Sequence, residues 1–181
     1  MDCRYIRRKK MSQMGSVIMP LVNGINVAGW EGFREDVRKD ASLADRQPTV
    51  IATWVGGSRS RVEFGGKTMH LGGKEDFNAM QTLLGALAAC DVDLLTLHAA
   101  LLGLEVTDLR VEATGHFNVR AYLGLEAPGS GYTGISYKII LNAPGANDEQ
   151  IRSLRERIER SSPVGDSLGR SIPLTIEFNT N

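Results

Sequence analysis

Cysteine, histidine and aromatic side chains are scarce in this 181-residue chain, which has 2 Cys, 3 His and 6% Phe, Trp and Tyr. Cys3 and Cys90 cannot build a disulfide scaffold, and neither sits in a Cys-x-x-Cys pair of the kind that holds zinc. His70, His98 and His116 lack the spacing of a helical His pair, so no metal centre and no cofactor are expected. Net charge is missing too. The 21 Lys and Arg are cancelled by 21 Asp and Glu, which excludes a chain whose main work is neutralising nucleic-acid phosphates. No Gly-x-Ser-x-Gly elbow is present, which removes support for a serine hydrolase. What is present is a 42% apolar composition, too rich for disorder and sufficient for about one domain. Few thiols point to a reducing, cytoplasmic setting.

The first residues read as a basic N-terminal tail, 1–21, ahead of a domain spanning 22–181. Arg4, Arg7, Arg8, Lys9 and Lys10 precede a short apolar run from Val17 to Val22, as in a signal peptide. Pro20 interrupts that run, Asn23-Gly24 ends it, and no small-residue cleavage site follows, so export is not expected. Met11, Met14 and Met19 are alternative starts, and Cys3 reads as incidental.

Val27, Trp30, Phe33 and Val37 recur at helical spacing behind Asn26, a suitable N-cap. Thr49–Val55 and Ser58–Phe64 read as strands joined by Gly56-Gly57, and Gly65-Gly66 leads into a third strand, Lys67–Leu71. These glycine pairs lack the strand-to-helix context of a phosphate cradle and read as turns. Met80 to Val106 predicts a long helix apolar on nearly every side, with Asn78 as its cap and Gly103 as its stop. Asp91, Asp93 and His98 interrupt it. A charged residue at mid-bilayer costs about 2.5–3.5 kcal/mol, so a central core helix is expected and no membrane span. Strands follow on Leu109–Phe117 and Ile135–Leu141. An amphipathic helix opens at Asn147 or Asp148 with Ile151, Leu154 and Ile158 inside, and a last strand carries Ile172, Leu174, Ile176 and Phe178. Hairpins and clustered antiparallel strands make the fold class α+β.

Cys90 is the one chemically capable residue in an unusual place, behind the small side chains of Ala86, Ala88 and Ala89. A free cysteine is commonly a small hydrophobe. A nucleophilic one must be ionised. Burial works against that, and so would Asp93 three residues on. A cation is needed, and Arg59 and Arg61, which alternate onto one face of the hairpin strand with Glu63, are the candidates.

Several segments together resemble the OsmC/Ohr superfamily of osmotically inducible and organic hydroperoxide resistance proteins. They are Trp54-Val-Gly-Gly-Ser-Arg-Ser-Arg-Val62, Leu71-Gly-Gly-Lys-Glu-Asp76, Leu84-Gly-Ala-Leu-Ala-Ala-Cys90-Asp-Val-Asp93 and Ser162-Pro-Val-Gly-Asp166. Val22-Asn-Gly-Ile-Asn-Val27 and Tyr122-Leu-Gly-Leu125 resemble a subgroup with an extra N-terminal helix. The resemblance implies curved antiparallel sheets wrapped around long central helices in an intertwined homodimer, with thiol sites at the subunit interface. It implies a peroxidatic cysteine, here Cys90, assisted by an arginine, here Arg59 or Arg61. Small organic hydroperoxides would be reduced and an external thiol, such as a lipoyl protein, would recycle the sulfur. Nucleic acid and membrane are not implied partners.

Two positions depart from that pattern. The glutamate expected near the start of the central helix falls on Met80-Gln81, and the resolving cysteine is Ser162. Gln81, Glu75, Asp76, Ser162 and Asp93 are therefore the residues expected around the substrate. Two functions stay open: a one-cysteine, thiol-dependent peroxidase, and a non-catalytic dimer that binds a small apolar ligand at its interface.

Overall fold

A computed structural model describes residues 21–180. The basic run Arg4–Lys10 and Cys3 lie outside the described residues, as does most of the expected tail.

The chain opens with a tight turn bridging Val22 and Ile25, then helix α1 (Val27–Lys39), whose N-cap Asn26 accepts from Gly29 N as its sequence position predicts. Its apolar stripe is only half-buried, with Trp30 and Phe33 meeting edge to face, and a one-turn 3-10 helix (Ala41–Ala44) closes it. Three antiparallel strands follow in the order β1 (Ile51–Gly56), β2 (Arg59–Phe64), β3 (Lys67–Leu71). Gly65 and Gly66 both hold positive φ, 55° and 79°, the conformation a two-residue hairpin turn demands.

Helix α2 (Ala79–Leu101) is the centre of the molecule. Asn78 and Gln81 form a reciprocal capping box at its start. Its end comes earlier than the apolar pattern suggests. Gly103 adopts φ 70°, and Leu104 N and Gly103 N bond back to Ala99 O and Ala100 O, the two bonds of a Schellman motif. The chain then turns into β4 (Asp108–Phe117) and β5 (Tyr132–Asn142), a two-stranded antiparallel sheet, followed by α3 (Asp148–Ser161) and the short α4 (Pro163–Gly169). Asn147 caps α3 with a second capping box.

The core lies where the C-terminal half of α2 meets α3 and the β4–β5 sheet: Leu95, Ala99, Leu104, Leu154 and Ile158 are its buried members. Along α2 the buried positions Leu87, Asp91, Leu95 and Ala99 advance by four, so one stripe faces inward. Gly85, Ala86, Ala89 and Asp93 lie on exposed parts of the same helix. By length and composition α2 is the one described helix able to cross a bilayer. Its inward stripe packs against α3 and β4, which makes it a core helix.

The last expected strand does not form. Residues 171–180 carry no regular structure, and Ile172, Leu174, Ile176 and Phe178 are 50%, 85%, 78% and 87% exposed. The alternating pattern is that of a strand, but a strand requires a neighbouring edge for its backbone groups, and among the described residues no strand pairs with this segment.

Asn23 ties the opening turn to the core. Its Nδ2 donates to Leu104 O (3.0 Å) and Thr96 O (3.3 Å), and its Oδ1 accepts from Val106 N (2.9 Å). Asn23→Ala leaves these half-buried backbone groups without partners and should destabilise the fold by about 1–3 kcal/mol, read as a lower urea midpoint at unchanged slope.

Candidate functional site

Cys90 occupies the middle of α2, half-buried, with its sulfur 3.8 Å from the Ser162 hydroxyl. Ser162 is placed by the break between two helices. It ends α3 and caps α4, where Pro163 fills the first turn and Gly165 N donates to Ser162 Oγ at 3.2 Å. The same hydroxyl donates to Asp91 Oδ1 at 2.6 Å. Both partners are out of solvent, Asp91 at 0% and Ser162 at 5% exposure. A hydroxyl has one proton and two lone pairs. Ser162 gives the proton to Asp91, accepts from Gly165, and has a lone pair left for the Cys90 thiol.

Asp91 stands in the inward stripe of α2 where an apolar residue is normal, and its Oδ2 has no hydrogen-bond partner among the described residues. Burial pushes its carboxyl above the ordinary carboxylate range, partly opposed by the Ser162 hydrogen bond. Tyr137 of β5 is raised as well, first by burial and then by the charges of Asp91 and Glu159. His98, two turns along α2, is lowered by burial and by Arg157.

The hairpin arginines lie elsewhere. Arg59 Nε pairs with Asp76 Oδ2 at 2.8 Å, and Arg61 Nε pairs with Glu63 Oε2 at 3.2 Å. Among the described residues of one chain neither arginine bonds to Cys90. Asp76, on the loop before α2, is the carboxylate that holds Arg59. Gln81 is exposed and engaged in the cap, its Oε1 accepting from Asn78 N at 3.0 Å. Glu75 and the Asp93 side chain are exposed. Of the expected site residues, the fold brings together Cys90 with Ser162 and Arg59 with Asp76, as two separate pairs. Asp91 is the residue that sequence reasoning passed over. Its four-residue step with Leu87 and Leu95 was the available signal, because it places a carboxyl on the buried stripe.

A cleft of about 740 Å³ opens onto Ser162. Met80, Leu83 and Leu87 of α2 form one wall and Ile135 and Tyr137 of β5 another, with Arg160 and the Arg170–Asp166 ion pair among its polar lining.

The OsmC-like protein family matches residues 72–177. Among solved structures, an OsmC-like protein from Mycoplasma pneumoniae is similar at 18% identity and TM-score 0.59, over 69% of this chain and 89% of that one. A putative osmotic stress induced and detoxification response protein from Psychrobacter arcticus is similar at 14% identity and TM-score 0.55, over 68% and 89%. An OsmC-like protein of unknown function from Vibrio cholerae is similar at 11% identity and TM-score 0.52, over 68% and 94%. At these identities the likeness is one of fold. No curated protein matches the chain.

The buried carboxyl has a pH signature. A folded-state pKa raised above the ordinary 3.8 means that folding favours the protonated form. Asp91's contribution is therefore full below the unfolded pKa and is lost as pH rises through the folded one. Asp91→Asn removes the charge and retains an oxygen to accept from Ser162. Its melting temperature should exceed that of the wild type at neutral pH, with the gap closing in acid.

Proposed function

The chain belongs to the OsmC-like family, and from that premise we propose that it is a thiol-dependent peroxidase acting on organic hydroperoxides, with Cys90 as the nucleophile. The observation that carries this reading is the position of Cys90. It is the one cysteine among the described residues, set half-buried in the central helix with its sulfur against a hydroxyl. The sulfur attacks the terminal peroxide oxygen, the O–O bond breaks, an alcohol leaves and Cys90 becomes a sulfenic acid. Ser162 stands where a resolving thiol would have to be, and a hydroxyl cannot close a disulfide. An external thiol must therefore attack the sulfenic sulfur, releasing water and forming a mixed disulfide that a second thiol reduces. Without that thiol the sulfur is open to irreversible oxidation. A dihydrolipoyl protein in a reducing cytoplasm fits the requirement. Apolar Leu83 and Leu87 near the site favour fatty or aromatic hydroperoxides over hydrogen peroxide.

The working unit in this proposal is a homodimer whose sites are shared. Ile51, Trp54, Phe64 and Met69 on the three-stranded sheet are 60%, 74%, 50% and 49% exposed, and the apolar residues of the C-terminal segment are bare. So much open apolar surface is characteristic of an interface, not of a monomer. The C-terminal segment needs a strand edge, and a second copy supplies one. Arg59, held by Asp76 away from its own Cys90, would then serve the partner's thiol.

The cleft and the acid behind Cys90 favour a second reading, in which the dimer holds a small apolar ligand and the thiol only lines the site.

Cys90→Ser should abolish reduction of cumene hydroperoxide by dithiothreitol. A wild-type rate in that variant would sink the peroxidase and leave the ligand-binding reading. The shared site has its own test, in which inactive Arg59→Ala and Cys90→Ser proteins are refolded together. Activity should return to about a quarter of the wild-type rate, the statistical share for one intact site in half of the dimers. No recovery would place Arg59 with its own cysteine.

A further inference from the structure

Ser162 and Asp91 have no assigned part in the chemistry so far, yet Ser162 meets the sulfur and Asp91 meets Ser162. The Cys90 sulfur lies 3.8 Å from Ser162 Oγ, and that oxygen is 2.6 Å from Asp91 Oδ1. Asp91 is fully buried, and its second oxygen has no hydrogen-bond partner among the described residues. We infer that Ser162 and Asp91 form a proton relay for Cys90: the thiol proton passes to Ser162 Oγ while the Ser162 hydroxyl proton passes to Asp91 Oδ1.

The hydrogen bonds already run in that direction. Ser162 donates to Asp91, and the lone pair left by Gly165 faces the thiol. An ordinary carboxylate is a poor base for a thiol, because their pKa values of about 3.9 and 8.5 are far apart. Burial raises Asp91 and narrows the gap, and proton transfer improves as donor and acceptor converge. Tyr137 of β5 feels the charges of both Asp91 and Glu159 of α3, and Asp166 and Arg170 of the α4 end line the cleft beyond Ser162. None of them bonds to the sulfur among the described residues.

The step balances when joined to the peroxidase reading, on which its second half rests. The S–H bond breaks and the proton ends on Asp91. The sulfur pair forms an S–O bond to the terminal peroxide oxygen as O–O breaks. Cys90 is oxidised to a sulfenic acid that keeps the hydroxyl, and the peroxide is reduced to an alkoxide. The proton then returns through Ser162 to the alkoxide, giving the alcohol and restoring the Asp91 carboxylate. Ser162 touches the reacting sulfur. Asp91 acts only through Ser162 and is a positioning residue.

The test uses iodoacetamide, followed at the Cys90 peptide by mass spectrometry across pH, so that no peroxide chemistry enters the readout. In the wild type the rate should rise first with Asp91 ionisation and again with the thiol. Asp91→Asn should lose the first rise and react about tenfold or more slowly at neutral pH. Ser162→Ala should do the same with Asp91 in place, and Ser162→Thr, which keeps the hydroxyl, should recover most of the rate. Near-UV circular dichroism confirms that each variant is folded. If Asp91→Asn does not fold, the two Ser162 variants decide. Faster alkylation in Asp91→Asn overturns the relay, since it marks the carboxylate as a repelling charge alone. An unchanged Ser162→Ala rate overturns it too. A protein that shows the relay but reduces no hydroperoxide would refute the peroxidase and not the relay.

Discussion

The hydrogen bond from Ser162 to Asp91 joins the central helix to the break between α3 and α4, and much of the local arrangement depends on it. A carboxyl at a fully buried position of an apolar stripe is costly unless it is partnered. Here the partner is single, and one carboxylate oxygen has no hydrogen bond among the described residues. The same serine oxygen accepts from Gly165 N and meets the thiol, so two side chains of α2 and one backbone N–H of α4 meet at one atom. An aliphatic residue at 91 would pack more cheaply. On the relay reading, an acid there trades stability for a proton acceptor, the kind of exchange that functional sites make.

One chain leaves much apolar surface open. The main buried cluster lies between α3, the β4–β5 sheet and one side of α2, while the hairpin sheet, Val62 apart, and the last ten described residues show most of their apolar side chains to water. The two halves of the expected chemistry follow the same division. Thiol, hydroxyl and acid lie on the covered side of α2, whereas Arg59 and Asp76 belong to the hairpin and the loop that follows it. On the shared-site proposal, the assembly that covers the apolar faces also carries the guanidinium of one copy toward the thiol of the other. Fold completion and site completion would then be one event.

Local signals were legible in the sequence where short-range physics decides the outcome. Asn26, Asn78 and Asn147 cap helices from the positions their side chains predict, and Gly65-Gly66 turns as paired glycines do. Two readings failed because the deciding partner is distant. Ile172–Phe178 has the alternation of a strand, but alternation reports side-chain faces and says nothing about whether an edge is available. Asp91 was read as an interruption of an apolar run, and only the position of Ser162, seventy-one residues away, shows why it is tolerated. Gln81 shows a third limit. The amide expected beside the substrate is held instead by the helix cap, three residues away.

Replacing a resolving thiol by serine changes which chemistry can occur beside Cys90. A second cysteine would consume the sulfenic acid within the chain, and its own proton would leave with water. A hydroxyl cannot form the S–S bond, but on the relay reading it passes protons in both directions and leaves the sulfur to an outside thiol. The neighbouring residue makes that difference matter, because Ser162 Oγ already bonds a buried carboxyl that ordinary serine neighbours would not supply. On the peroxidase reading, the departure at 162 and the acid at 91 therefore belong together. The first removes internal redox turnover, and the second gives the remaining thiol a means of losing and returning its proton where no hairpin arginine of its own chain reaches it.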